Sequence, residues 1–435
     1  MQVRLPNPKP VAPNKCETLA VIDLGSSKVC CLIARLKPFA PDQESPGRSH
    51  LVEVVGFGTQ RAQGIKRGVV VEMEEAERAV RGAVDHAERM ARVTVDGVIV
   101  NLSGGRLKTD ALAADVRVHG HIDDMDIGRV LSAAHDHSAS IDRAVLHSVP
   151  VSFAIDDDNL VTDPRGMAGS RLKVDLSVVS AQVPAVRNVV LLMERCHLAV
   201  DGIVATPYAS GLAVLVADEL ELGTVCLDIG AGTTGIGIFD SGDFVHCDQI
   251  AIGGHHVTMD LARGLSTSID AAERIKTLYG SAISTQTDYR DMVSVPPIED
   301  ASGQGIPNPV PRSHVSDIIR PRIEEILELA RDRLRQSGRW RRHGRRAVVT
   351  GGTSQLPGLT ELAETILDCP VRIGRPIGVA GLPEIARGPG FATPVGLLTY
   401  PQAAREVEFR PSRPLKLTGT DGYFARVSHW LRENF

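Results

Sequence analysis

The sequence predicts an α/β protein built from two related halves that share one anion-binding cleft. Three stretches carry that prediction. Residues 223–239 read G-T-V-C-L-D-I-G-A-G-T-T-G-I-G-I-F, a strand, a glycine-rich turn and a second strand. Residues 19–36, L-A-V-I-D-L-G-S-S-K-V-C-C-L-I-A-R-L, repeat the layout about half a chain earlier. Residues 347–359, A-V-V-T-G-G-T-S-Q-L-P-G-L, give a strand, a glycine pair and the start of a helix. Short apolar runs bounded by glycines read as buried strands. A unit repeated at long range reads as an internal duplication.

The turns are chemically suited to phosphate. Glycine lets backbone N–H groups converge on one point, and hydroxyls add donors. The first turn offers Gly25, Ser26 and Ser27, and Lys28 adds a charge suited to phosphate. The second offers Gly230, Ala231, Gly232, Thr233 and Thr234. Each follows a carboxylate, Asp23 or Asp228, which would repel a bare phosphate. A hydrated Mg²⁺ between acid and phosphate resolves that conflict, since Mg²⁺ takes oxygen ligands and keeps waters. At Gly351, Gly352 and Thr353 the glycines would let an adenosine lie flat on the backbone. Gly253 and Gly254 again allow close backbone approach.

A chain of 435 residues is too long for one core, so two to four structural units are expected. Apolar content of 43% and charged content of 23% are ordinary for globular proteins. A net charge of −5 gives no global basic field, so nucleic acid is not an expected partner. The seven cysteines are scattered without a C-x-x-C, and Cys30, Cys31 and Cys226 fall within apolar strands, as core residues of a reducing cytosol do. The Pro-rich start lacks the apolar stretch of a signal peptide, and no apolar run is long enough to span a bilayer.

In chain order, helices are expected at 72–92, 125–137, 183–196, 257–265, 268–278 and 315–336, with another opening at T-P-Y-A-S-G (206–211). Residues 95–179 have the texture of a small inserted α+β unit. Its histidines, His119, His121, His135 and His137, lack the paired Cys or acid frame of a metal site and read as surface residues. Glu273 and Lys276 share a helix face. The basic run at 339–346 reads as a solvated face and loop.

Two Asp-x-Gly hairpins followed by V-x-T-G-G-T resemble the two phosphate motifs and the adenosine motif of the actin, Hsp70 and sugar-kinase superfamily. Within it the chain resembles the FtsA family of bacterial cell-division proteins, from about Glu17 to its end. The matches are D-L-G-S-S-K (23–28), V-L-H (145–147), D-I-G-A-G-T (228–233), A-E-R-I-K (272–276), V-V-T-G-G (348–352), R-I-G (372–374) and V-G-L-L (395–398). The resemblance implies an actin-like ATPase fold with two related domains around a nucleotide cleft. It assigns residues 17–94, 180–210 and 391–400 to subdomain 1A, and 95–179 to the FtsA-type 1C insertion. Residues 211–256 and 346–390 become subdomain 2A, and 257–345 subdomain 2B. It implies ATP and Mg²⁺ as cofactors, Glu273 and Lys276 as nucleoside contacts, self-association into polymers, and binding of later division proteins. It also implies binding of the C-terminal peptide of the tubulin-like protein FtsZ by an Arg-x-x-Glu on a helix, here Arg322 and Glu325. Pro321 before Arg322 would suit a first helical turn.

Residues 1–16 read as a disordered tail and 401–420 as a flexible linker. The chain then ends in an amphipathic segment, 421–435. Phe424, Val427, Trp430 and Leu431 share one helical face, with Tyr423 beside them and Arg426 and Arg432 flanking it. An aromatic face edged by arginine at the end of a polar tether suits an anionic bilayer surface. The expected location is the cytoplasmic face of the membrane at the division septum. Thr206 to Gly211 offers no Gln or Glu to orient water, and Ala231 replaces a glycine of many relatives, so at most slow ATP hydrolysis is expected. A pilus-assembly relative or a small-molecule kinase of the same superfold is the alternative.

Overall fold

The computed structural model describes residues 15–39, 50–136, 142–156, 159–298, 307–340 and 346–409. Residues 1–14 of the expected tail, 341–345 of the basic run, 410–420 of the expected linker, and every residue of the expected membrane segment lie outside them, as does His137.

The chain opens with β1 (Glu17–Leu24), β2 (Lys28–Pro38) and β3 (His50–Arg61), a short hairpin of β4 (Ile65–Lys66) and β5 (Val69–Val70), α1 (Met73–Ala91) and β6 (Gly97–Leu102). An excursion follows through β7 (Lys108–His121), α2 (Asp124–Asp136), β8 (Arg143–Ile155), β9 (Asn159–Val161) and β10 (Ala168–Gln182). The chain returns through α3 (Val183–Arg195), β11 (Ala199–Ala205), α4 (Thr206–Val214) and α5 (Ala217–Leu222). The second half runs β12 (Thr224–Ile229), β13 (Thr234–Asp240), β14 (Asp243–Ile250), α6 (Gly254–Gly264) and α7 (Ile269–Tyr279). It continues through β15 (Met292–Val295), β16 (Asn308–Pro311), α8 (Arg312–Gln336), β17 (Ala347–Thr350), α9 (Leu359–Leu367), β18 (Val371–Ile373), β19 (Val379–Ala380) and α10 (Ala392–Val407).

The duplication is visible in the sheets. One is ordered β11-β6-β1-β2-β3-β19, the other β14-β13-β12-β17-β18. In each, a three-strand antiparallel meander (β1-β2-β3, β12-β13-β14) leads, and two parallel strands extend the sheet from the meander's first strand. The carboxylate-bearing strand is therefore central in both. Strand β6 belongs to the first sheet, so Gly97–Leu102, expected in the inserted unit, is part of the main domain. The insertion is a separate sheet, β7-β10-β8-β9, packed with α2 around its own core of Val130, Leu131, Leu172, Val174 and Val178. His135 is buried there, its Nδ1 3.2 Å from Ser148 Oγ, contrary to the surface expectation; His119 and His121 are exposed. The cysteines of the strands are core residues: Cys30, Cys31 and Cys226 are fully buried, and burial pushes the Cys31 thiol up to about 12.

Helix α1 buries Ala76, Ala79, Val80, Ala83, Val84 and Ala87 at helical spacing. Small residues let it lie close to β3: a Cβ on Gly58 would fall 1.9 Å from the Ala83 carbonyl oxygen. Two prolines fail to stop helices. Pro321 sits inside α8, which begins at Arg312, rather than in a first turn. Pro401 sits inside α10, so the expected linker is helical to Val407. An interior proline costs about 3 kcal/mol. In α8 the buried face of Val315, Ile319, Ile323, Ile326, Leu327 and Leu334 outweighs it, at about 1.5–3 kcal/mol per side chain. After α10, Phe409 packs against the insertion's core and donates its N–H to the Ser148 carbonyl at 2.8 Å. Among the described residues, no helix is long and apolar enough to cross a membrane.

Candidate nucleotide cleft

The two hairpin turns close with the same bond. The Gly25 N–H donates to the Lys28 carbonyl at 3.1 Å, and the Gly230 N–H to the Thr233 carbonyl at 2.9 Å. They line one cavity of about 1580 Å³ between the halves, with Asp23 and Asp228 both in its wall. Of the residues expected from sequence, Gly25, Ser26, Ser27, Lys28, Gly230, Ala231, Gly232, Thr233, Glu273, Lys276, Gly351, Gly352 and Thr353 also line it. Two do not. Thr234 donates its hydroxyl to the Ile252 carbonyl at 2.9 Å, away from the cavity. Gly254 stands behind the turn: its N–H donates to the Gly230 carbonyl, and a Cβ on it would meet Thr353 Oγ1 at 2.3 Å.

Both carboxylates are buried among neutral donors. Asp23 accepts from Asn101 Nδ2 at 2.8 Å, which also donates to Thr206 Oγ1 at 3.0 Å, while Asn101 Oδ1 accepts the Leu24 N–H at 2.6 Å. Burial lifts Asp23 to about 7, with Lys28 opposing and Asp228 adding to the rise. Asp228 accepts from the Ser210 hydroxyl and, at 3.0 Å, from Thr393 Oγ1. Burial raises it too, against those two hydrogen bonds. Gly351, at φ 85°, passes so close that a Cβ would fall 2.4 Å from Asp228 Oδ1. A Cβ on Gly352 would meet nothing within 4 Å, so the chain there faces open space.

Elsewhere in the cavity lining, Lys276 Nζ donates to Glu273 Oε2 (2.7 Å), Thr258 Oγ1 (2.9 Å) and the Gly254 carbonyl (3.2 Å). Glu273 and Lys276 are thus tied to the start of α6 as well as to each other. The Lys28 ammonium lies near both carboxylates, where its charge opposes the rise that burial causes. Its Nζ donates to the Gly390 carbonyl at 2.6 Å and lies 3.6 Å from the Phe391 ring centre. Arg322 also reaches the cavity, donating to Asp260 at 2.6 and 3.1 Å and pairing with Glu325. Asn101, Ser210 and Thr393 escaped the sequence reading. Only Asn101, a lone amide in V-I-V-N-L, carried a signal: the periodicity of a buried strand leaves no room for it without a polar partner.

Among the described residues no group of three or more His, Cys, Asp or Glu could hold a metal. Two carboxylates carry too few oxygens to cage Mg²⁺, yet both are of the hard-oxygen type it prefers, and water or phosphate would complete the shell.

Comparison with known proteins follows the same lines. A family model described as "Cell division protein FtsA" matches residues 225–396, and one described as "SHS2 domain inserted in FTSA" matches residues 104–180. A Rhizobium meliloti protein described as "Cell division protein FtsA" is 50% identical over 434 residues, covering 99% of this chain and 98% of the relative. Its Pseudomonas aeruginosa counterpart is 36% identical over 380 residues, covering 87% and 88%. Among solved structures, a chain of the "PilM-PilN type IV pilus biogenesis complex" aligns at TM-score 0.61 and 17% identity over 88% of this chain and 98% of that one. MreB5 of Spiroplasma citri bound to AMPPNP aligns at TM-score 0.51 and 14% identity over 90% and 97%. The architecture is the actin-like ATPase fold with an inserted domain.

Proposed function

This chain belongs to the FtsA family of cell-division proteins, and from that membership we propose that it binds Mg²⁺·ATP, polymerises, and tethers FtsZ filaments to the cytoplasmic face of the membrane at the septum, where later division proteins join it. The observation that carries the nucleotide part is the pair of matched turns lining one cavity, with Asp23 and Asp228 both in its wall. Mg²⁺ would supply the positive charge that lets two buried carboxylates and a polyphosphate share the site. The turns' N–H groups and Ser26, Ser27 and Thr233 would orient the phosphates. Gly351 to Thr353 would receive the adenosine, and Glu273 with Lys276 the sugar side.

Hydrolysis would be slow. The side chains hydrogen-bonded to the carboxylates, Asn101, Ser210 and Thr393, are neutral, and Asn101 is committed to Asp23. None is a Gln or Glu of the kind that orients a water. Nucleotide would act on conformation and assembly instead. For the FtsZ peptide, Arg322 and Glu325 remain the proposed contacts on α8. An acidic peptide would compete with Asp260 for the Arg322 guanidinium.

Membrane attachment rests on the sequence of 421–435, whose apolar aromatic face and arginine edge suit anionic lipid. One short helix is a weak anchor, and polymerisation would multiply it. The test is sedimentation with anionic liposomes, with and without Mg²⁺·ATP and an FtsZ tail peptide, for the full chain and for a chain ending at Asp421. The full chain pellets and recruits the peptide; the shortened one stays in solution but still binds fluorescent ATP. Membrane binding by the shortened chain would overturn the tether.

A further inference from the structure

Arg67 is a cation of the cleft that neither motif contains. It lies on the tight connection between β4 and β5, at φ 50°, beside Gly68 at φ 73°. That connection is wedged between the two turns. The Gly68 N–H donates to Ser26 Oγ at 3.0 Å. On the other side, a Cβ on Gly232 would fall 3.0 Å from the Arg67 backbone nitrogen and 2.5 Å from Ser26 Oγ. Arg67 therefore stands where the halves of the phosphate site converge.

Its side chain is exposed and lines the cavity, and among the described residues it has no hydrogen bond or ion pair. Most other cations of the wall are engaged. Lys28 is held by Gly390, Arg61 by Asp270, Lys66 by Glu72, Lys276 by Glu273 and Arg322 by Asp260. Arg263 is also unengaged, but it sits near the end of α6, about 14 Å along the axis from the first turn that abuts Gly230. Arg67 also faces His256 of that first turn, whose imidazole is held below its ordinary value by burial and, more weakly, by Arg67 and Arg322.

We propose that Arg67 reads the terminal phosphate of the bound nucleotide, so that the cleft tells a triphosphate from a diphosphate. The inference rests on the Mg²⁺·ATP reading above. The turns' N–H groups can hold any phosphate, but a guanidinium forks onto two oxygens of one phosphate and adds a charge. With Lys28 turned to Gly390, Arg67 is the unengaged cation whose backbone touches both turns.

The test uses the full-length chain and fluorescent ATP and ADP with Mg²⁺. Arg67→Asn removes the charge and keeps a residue tolerant of positive φ; Arg67→Lys keeps the charge without the fork. Thermal melts establish that both variants fold. Wild type binds both nucleotides, Arg67→Asn loses about tenfold or more in ATP affinity and less than twofold in ADP affinity, and Arg67→Lys falls between. An unchanged ATP-to-ADP ratio in Arg67→Asn overturns the role of Arg67 and leaves the ATP reading standing. Failure of wild type to bind either nucleotide overturns both.

Discussion

At Asp23, burial outweighs the nearby Lys28 and lifts the carboxyl from 3.8 to about 7. The folded state thus holds this proton more tightly than the unfolded state. Stability from this group is complete below pH 4 and is lost as pH rises through about 7. Three pH units correspond to about 4 kcal/mol, a ceiling that solvent entering the cleft would lower. Asp228, also raised by burial, acts in the same direction. Asp23→Asn keeps an oxygen for Asn101 but cannot ionise. Without nucleotide, the variant should melt above wild type at pH 8, with the gap shrinking toward pH 5. A gap independent of pH would mean that Asp23 titrates as an ordinary carboxylate. The two acids were legible in sequence because an Asp in an apolar strand needs a reason. Ser210 and Thr393 were not: a serine in Y-A-S-G or a threonine in A-T-P has no periodicity to betray that it meets Asp228. The orientation of Lys28 was illegible for the same reason, since its acceptor lies 362 positions along the chain.

Helices α4 and α10 cross under the cleft without a spacer. A Cβ on Gly396 would lie 1.7 Å from the Ala209 carbonyl oxygen, and backbone cannot swing aside as a side-chain tip can. Gly396→Ala should therefore cost about 3 kcal/mol or more in denaturant unfolding. It should also weaken nucleotide binding, because Ser210 on α4 and Thr393 on α10 both hold Asp228. Gly128 is the contrast. It lies in α2 with nothing within 4 Å of its would-be Cβ, so Gly128→Ala should stabilise by about 0.5–1 kcal/mol. Equal effects at the two glycines would show that the helix crossing is looser than it looks. Such crossings explain what sequence could and could not provide at this scale. The 3.6-residue pattern gave α1 and α3 nearly to the residue. It started α8 at 315 rather than at Arg312 and offered no helix for α10, whose residues from Pro401 read as linker, because proline reads locally as a stop while the packing that overrides it is a tertiary fact.

The parts of the molecule meet at His147, in the V-L-H stretch of β8. Its Nε2 accepts the Ala205 N–H at 2.9 Å, so Nδ1 carries the proton and faces Glu408 Oε1, also at 2.9 Å. The ring stands edge-on to Tyr208 and Tyr400 of the first half, at 5.0 and 5.7 Å between centres, and to Phe244 of the second at 6.4 Å. Tyr400 donates its hydroxyl to Glu408 Oε2 at 3.1 Å, and Phe409 then packs against the insertion's core. The duplication could be read from two hairpins; this junction could not, since it joins residues from four distant stretches. It also carries the folded body past Pro401, at least as far as Phe409. Two shortened chains test this. One ending at Phe409 should unfold like the full chain. One ending at Val407 removes the acceptor of both His147 and Tyr400 together with the half-buried Phe409 ring, and should be less stable by about 3 kcal/mol or more. If both melt together, Glu408 and Phe409 add nothing to the stability of the body, which then ends with α10. A large gap would instead mean that the end of the described chain is a structural part of the inserted domain, because Ser148 and Phe153 lie in the strand and core on which Glu408 and Phe409 are seated.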